Sequence, residues 1–373
     1  MLKYMDIGVR LILIDGEGLE EEEFRAHIRK YPALELLYEQ GLYVFDALNP
    51  ALSIPVNSED LFMATLYYTA FTCHNTLRKY PGLKNRNFVY FIQDFEPIFY
   101  AHNTGYVTAL ETYRYPHFGI YSTPFLQRWF REEKYGQYLF MATQNPEPAY
   151  SFGAEPAIKP WGIPSQSALE NPNRVRKVIV YARMHADRNA YELTINALSQ
   201  AVCHPVFATN WEIIGMGAPK DYFEYLGMPC GKKIVMKIRK NVPENEYRRL
   251  VQTGDVGLSL MISPHPSLPP FDLVAAGLVT VTNSFGTKTA PLLEAVSKNF
   301  VVVEPYLMGV VQGLVTAARR SQDVPQRLQN SANMNWESSW LGDRCYGPPL
   351  MNMVKHWFSV HEPLWPYEEV EED

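Results

Sequence analysis

The chain has 373 residues, 47% hydrophobic and 20% charged, which is enough for two ordinary domains with separate cores and excludes wholesale disorder. Its net charge of −6 supplies no global field to draw nucleic acid or an acidic membrane surface, so any anion site must be local. No apolar run reaches the roughly 18 residues of a membrane span, and no basic-then-apolar leader opens the chain.

In chain order, residues 9–15 (VRLILID) predict a strand, and an acidic run at 20–23 opens a surface helix through residue 30. A short strand follows over 42–47, and a helix starts over 60–68, with Ser58 or Asp60 able to cap it. Residues 87–93 (NFVYFIQ) read as a mostly apolar strand. Its exit carries Gln93, Asp94 and Glu96, which either meet a ligand or cap the next turn. Strand 117–122 leads into helix 123–135, started by Thr123 and Pro124 as N-cap and first residue.

Between residues 145 and 172 six prolines remove all strong periodicity, which marks a linker. Beyond it strand and helix alternate: strand 178–182, helix 188–201, strand 211–215, helix 244–253, strand 256–262, helix 270–276, strand 279–283, helix 288–297, strand 300–304 and helix 306–320. Such alternation predicts a parallel doubly wound sheet. Residues 330–373 are irregular apart from a helix around 350–358 and an acidic tail.

The fold class is therefore α/β, with two Rossmann-like halves facing across a cleft, the GT-B architecture. The expected division is an N-terminal Rossmann-like domain over 1–155, a proline-rich linker over 156–175, a C-terminal Rossmann-like domain over 176–345, and a terminal helix and tail over 346–373.

Residues 178–193 (VIVYARMHADRNAYEL) carry the sharpest chemical signal. Arg183 and Arg188, five apart at a strand's exit and followed by a helix mouth, suit a diphosphate ester. Taken singly, each is more commonly a solvated loop residue; their spacing, order and partner segment favour the anion site. Residues 265–277 (HPSLPPFDLVAAG) form a second strand-to-helix junction, with Pro269 and Pro270 where helices tolerate proline. The cysteines, Cys73, Cys203, Cys230 and Cys345, have no CxxC pair and no metal-ligand spacing, so reduced thiols in a cytoplasmic setting and no metal are expected.

Four segments, FVYFIQDFEPIFY (88–100), LETY (110–113), residues 178–193 and DVGLSLMISPHPSLPPFDLVAAGLVTVTN (255–283), make the chain resemble the retaining glycosyltransferases of family 4. More narrowly it resembles the WsaF-like bacterial rhamnosyltransferases that build surface polysaccharide. The resemblance implies that Arg183 and Arg188 occupy the places of an arginine and lysine that hold the donor diphosphate, with Lys240 as a further cation. Asp272 matches the second of two glutamates, the one that grips the ribose, while the first falls on Pro264. His265 stays beside the site, either donating to a donor oxygen or packing in its turn. Pro270 and Gly215 complete the donor side, and Gln93, Asp94 and Glu96 face the acceptor.

The implied donor substrate is dTDP-β-L-rhamnose, with no cofactor, and the implied partner is a glycan acceptor. The implied course is retention by front-face attack without a metal. The implied setting is cytoplasmic, without membrane insertion and compatible with peripheral attachment at the inner membrane face. In this family a first strand and a glycine-rich turn precede the element matched by residues 9–15, so the N-terminal half is expected to lack them. Two other readings compete. One is a non-catalytic GT-B module that binds nucleotide sugar or a partner chain. The other is a sugar-nucleotide 2-epimerase, which needs more carboxylates than the second half offers.

Overall fold

A computed structural model describes residues 7–13, 26, 29, 43–46 and 56–367, apart from 141–148, 159–161, 209 and 241. The helix expected over 20–30 lies almost wholly outside the described residues, as does the acidic tail beyond 367.

Strands β1 (Arg10–Leu13) and β2 (Tyr43–Asp46) pair in parallel as a small sheet. A second parallel sheet is ordered β3 (Met63–Ala64), β4 (Phe88–Ile92), β5 (His117–Tyr121), β6 (Ser151–Gly153). The third has seven strands: β7 (Arg176–Tyr181), β8 (Trp211–Ala218), β9 (Tyr222–Leu226), β10 (Ile234–Lys240), β11 (Val256–Leu258), β12 (Val279–Asn283) and β13 (Phe300–Val303). Its spatial order is β13-β12-β11-β7-β8-β10-β9, and β9 is its antiparallel member. The predicted alternation is there, and β9 and β10 are additions to it.

The start of the first long helix differs from expectation. It runs Tyr67–Lys79, because residues 63–64 are taken by β3 and neither Ser58 nor Asp60 caps it. Asp60 accepts from the Asn57 N–H at 2.7 Å and pairs with Arg10 instead. The cap comes from Thr69, whose hydroxyl accepts the Leu66 N–H at 2.9 Å, and from distant Glu96, whose Oε2 accepts the Tyr67 N–H at 2.7 Å. Thr123 and Pro124 start the helix Pro124–Glu132 as the sequence indicated, Thr123 Oγ1 accepting from Leu126 at 3.2 Å.

Valines and isoleucines of β7, β8, β11 and β12 are buried on both sheet faces, as parallel strands under helices require. The helix Pro348–Trp357 returns to the other half, packing Leu350, Met351, Val354 and Trp357 on Val89, Phe118 and Ile120 of β4 and β5. Phe125 joins Phe271, Val274, Leu293 and Trp336 in one apolar cluster between the halves. At Gly286, φ is +52° and an added Cβ would sit 2.2 Å from the Trp129 ring, so only glycine lets that turn lie against the facing helix.

The expectation of four reduced thiols is corrected for one pair: Cys203 and Cys230 are joined by a disulfide with Cα atoms 5.8 Å apart. Their separation of 27 residues carries no motif. The approach arises because Cys203 follows the helix Tyr191–Ala201 and Cys230 lies in the turn between β9 and β10, which packs against that helix. Cys73 and Cys345 are free and buried.

Candidate functional site

The site is built at the carboxyl ends of β4, β7 and β11. After β7 the chain does not enter its helix at residue 188. It makes a 3₁₀ turn over Asp187–Asn189, passes through Ala190 in the left-handed region at φ 49°, and begins the helix at Tyr191. A non-glycine residue there costs on the order of 1–2 kcal/mol, so the turn must be held by its neighbours. Two bonds do so: Ile262 N–H donates to the Arg188 carbonyl at 2.6 Å, and buried Asn189 Nδ2 donates to the Leu260 carbonyl at 3.3 Å. The two strand-to-helix junctions singled out in the sequence are thereby tied together.

Residues 259–262, expected as strand, leave the ladder after Leu258 and follow a side-chain clamp. Met261 N–H donates to Asn283 Oδ1 at 2.7 Å, and its carbonyl accepts from Asn283 Nδ2 at 3.1 Å and from Lys288 Nζ at 2.7 Å. Lys288 is fully buried, and burial pushes its ammonium down to about 7, with the Asp94 charge opposing. Beyond the clamp, the Ser263 hydroxyl donates to Asp94 Oδ1 and accepts the His265 N–H at 3.1 Å. His265 Nδ1 accepts from Ser267 N–H at 3.0 Å, and burial holds the imidazole below its usual range.

Arg188 reaches from this junction to the other half. Its Nε lies 3.4 Å from Asp94 Oδ2, and its guanidinium sits 4.3 Å from the centre of the Phe99 ring. Asp94 also accepts the Phe95 N–H at 2.8 Å, so one carboxylate both closes its own turn and meets two residues of the opposite half.

The remaining predicted residues are dispersed around this cluster. Arg183 is half-buried, its Nε donating to His185 Nε2 at 3.1 Å. Lys240 is exposed at the carboxyl end of β10, past a register shift, with its backbone N–H on Asp221. Asp272 stands in the first turn of the helix Pro269–Ala275 and accepts from the Tyr247 hydroxyl at 3.4 Å, and Pro270 is buried in that same turn. Gly215 is in the sheet interior, where an added Cβ would lie 2.8 Å from Ile238, so packing accounts for this glycine. Gln93 is exposed, its Nε2 donating to the Thr65 carbonyl at 3.1 Å.

Glu96 is 1% exposed and faces inward, with Oε2 on the helix start and Oε1 without a partner. Burial pushes its carboxyl up to about 7, the Tyr67 N–H opposing and the Asp94 charge adding. Between its ordinary 4.5 and 7 the folded chain keeps a proton that the unfolded chain has lost, so stability falls as pH rises through that window. The full cost above it is on the order of 3 kcal/mol. Glu96→Gln keeps an acceptor for Tyr67 and removes the charge, so denaturant melts should show the variant gaining on the wild type between about pH 5 and pH 8. Parallel pH dependence of the two proteins would refute the assignment.

Ser263, Phe99, Asn283 and Lys288 were not singled out in the sequence. Only Lys288 left a trace there, as a lysine in a glycine–threonine turn directly after an apolar strand.

Two family models match consecutive parts of the chain: "WsaF, N-terminal domain" over residues 2–122 and "WsaF, C-terminal domain" over residues 176–315. The O-antigen biosynthesis protein RfbC of Myxococcus xanthus is 29% identical over 282 residues, which are 75% of this chain and 20% of that protein. The chain thus spans about a fifth of the length of the curated relative it matches. Among solved structures, WaaG, a glycosyltransferase involved in lipopolysaccharide biosynthesis, aligns over 92% of this chain and 98% of its own at TM-score 0.52 and 12% identity. Anabaena HepE in complex with UDP-glucose aligns over 94% and 99% at TM-score 0.58 and 14% identity. The trehalose-6-phosphate synthase OtsA aligns over 92% and 76% at TM-score 0.51 and 15% identity. These likenesses show the fold, which is GT-B.

Proposed function

The chain belongs to the WsaF family, and on that premise we propose that it is a retaining glycosyltransferase of surface-polysaccharide assembly, moving L-rhamnose from dTDP-β-L-rhamnose onto a glycan acceptor. In this reading residues 1–155 form the acceptor side, 156–175 the connector, 176–345 the donor side and 346–373 the closing helix and tail. The observation that carries it is the position of Arg188, on the junction where both strand-to-helix turns meet and in contact with Asp94 and Phe99 of the other half.

Departure of a nucleoside diphosphate from an oxocarbenium-like sugar builds negative charge on the leaving oxygens. Cations fixed there favour the transition state over the ground state, which accelerates transfer. Arg188 and Arg183 supply that charge from the β7 exit, with Lys240 two strands away, roughly 10 Å by strand spacing. Asp272 takes a ribose hydroxyl, with Tyr247 holding its carboxylate in place. The neutral His265 presents its other ring nitrogen as a donor to a sugar or phosphate oxygen. Gln93 and Asp94 face the acceptor, while Glu96 works from beneath by fixing the helix start. No cofactor and no divalent ion takes part, and the leaving phosphate accepts the acceptor's proton. Such an enzyme acts on the cytoplasmic side, and among the described residues no helix is long and apolar enough to cross a membrane.

Calorimetric titration with dTDP, followed by product analysis with labelled donor and a rhamnan acceptor, tests this reading. Heat on binding and label in the glycan with the donor's anomeric configuration are the expected results. Absence of heat would favour a scaffold module, and isomerised donor without transfer would favour an epimerase.

A further inference from the structure

The strands absent from the predicted alternation carry the most exposed aromatic surface of the donor-side sheet. β9 is the edge strand, and Phe223 and Tyr225 are 55% and 66% exposed, beside Val235 at 44% on β10. Tyr225 pairs across the hairpin with Val235, and Phe223 with Lys237. The strand period therefore puts Phe223, Tyr225, Val235 and Lys237 on one face, and exposed Lys233 immediately precedes β10. The opposite face, with Leu226, Met236 and Ile238, is buried against the helix Tyr191–Ala201. The apolar layer on the outer face of β7 and β8 includes Val251 and Leu273 and, among the described residues, no apolar residue of β9 or β10; the helix Glu244–Gln252 meets β10 through the Arg239–Glu246 ion pair.

Charge sets this hairpin apart as well. The chain is acidic overall, yet residues 220–240 hold six lysines and arginines against two carboxylates. Both carboxylates are turned to the protein's own groups: Glu224 accepts from the Tyr191 hydroxyl at 2.7 Å, and Asp221 accepts from the Lys240 N–H at 2.9 Å. Lys233 and Lys237 remain exposed beside the aromatic row.

We propose that the outer face of the β9–β10 hairpin rests on an anionic lipid surface. Tyrosine and phenylalanine rings lodge at headgroup depth while ammonium groups meet the phosphates, and this face offers both, the rings on β9 and the ammonium groups beside them on the β10 side. The same lysines repel a second copy of the chain, which argues against edge-to-edge pairing of β9 with itself.

Flotation of the whole protein with phosphatidylcholine vesicles, with and without about a third phosphatidylglycerol, tests this in the absence of donor and acceptor. The result is therefore independent of sugar transfer. The wild type should float with the anionic vesicles at low salt, be released at high salt and ignore the neutral ones. K233E/K237E should weaken binding about thirtyfold, from roughly one kcal/mol for each lysine near the surface. F223S/Y225S should weaken it at least about tenfold. The pair K298E/K355E, exposed elsewhere, should float as the wild type does.

Failure of the wild type to float, or unaltered flotation of K233E/K237E, overturns the proposal. So does a wild type that is dimeric in solution and becomes monomeric in F223S/Y225S. If F223S/Y225S does not fold, K233E/K237E, which leaves the apolar contacts in place, decides.

Discussion

Replacing Arg188 by alanine is expected to lower the rate of sugar transfer by on the order of 10²–10³, with a melting temperature close to that of the wild type. On the proposed function, the rate loss follows from removing a fixed cation at the place where charge would develop on the leaving diphosphate. The small stability effect follows from geometry. The guanidinium is a quarter exposed, and the bond that ties its turn to the second junction uses the Arg188 carbonyl, which alanine keeps. Asp94 retains Ser263 and the Phe95 N–H after the change, so its charge is not stranded. Arg188→Lys should fall between the two, because a point charge survives but the fork and its stacking on Phe99 do not. Steady-state kinetics with the nucleotide sugar separate the outcomes. If only KM rises, Arg188 supplies uniform binding rather than transition-state stabilisation; wild-type turnover in Arg188→Ala would remove it from the site.

The parts of the fold legible in the sequence are those fixed by local pattern. β7, β12 and β13 are short apolar runs between helices, and their burial on both faces is what such runs encode. Thr123 followed by Pro124 marks a helix start that needs nothing from elsewhere. The features that escaped depend on residues far apart in the chain. The first long helix begins at Tyr67 because Glu96, 29 residues later, takes its first N–H. The β7 helix starts at Tyr191 rather than 188 because the Leu260 carbonyl and Ile262 N–H hold a strained turn in front of it.

The candidate site divides in the same way. Arg183, Arg188 and Asp272 were visible as charges at strand exits and a helix start. Asp94 was visible only as one of three polar groups, and its meeting with Arg188 and Ser263 needed both halves of the molecule. Lys288 reads as a surface turn lysine until Met261 and Asn283 are placed beside it. Hairpin β9–β10 was obscured because its outward face is aromatic as well as basic, which blurs the apolar–polar alternation of a half-buried strand.

Asp255→Ala should destabilise the protein by about 3–5 kcal/mol, because it strands buried arginine charge. Asp255 and Arg327 are each 1% exposed and lie at the amino ends of β7, β11 and β12, opposite the site. Asp255 Oδ1 accepts from Arg327 at 2.9 Å, and Oδ2 accepts from Arg174 at 3.0 Å and from the Lys177 N–H at 2.9 Å. Arg327 in turn donates to the Gly254 and Gly277 carbonyls at 3.1 and 3.0 Å, joining the segments that enter β11 and β12. Burial already lowers the Arg327 guanidinium to about 10, with Asp255 as the first opposing influence. Without that carboxylate the buried Arg327 guanidinium is left next to that of Arg174 with no counter-charge from Asp255. In a half of this size the melting temperature should fall by on the order of 10 °C. Turnover measured well below the melt should stay near that of the wild type, since nothing at the carboxyl ends of the strands is touched. A double-mutant cycle with Arg327→Met should return a coupling of more than about 1 kcal/mol, the mark of groups in one network. Additive losses, or a melt within a degree or two of the wild type, would mean that this cluster does not hold the strand entries together.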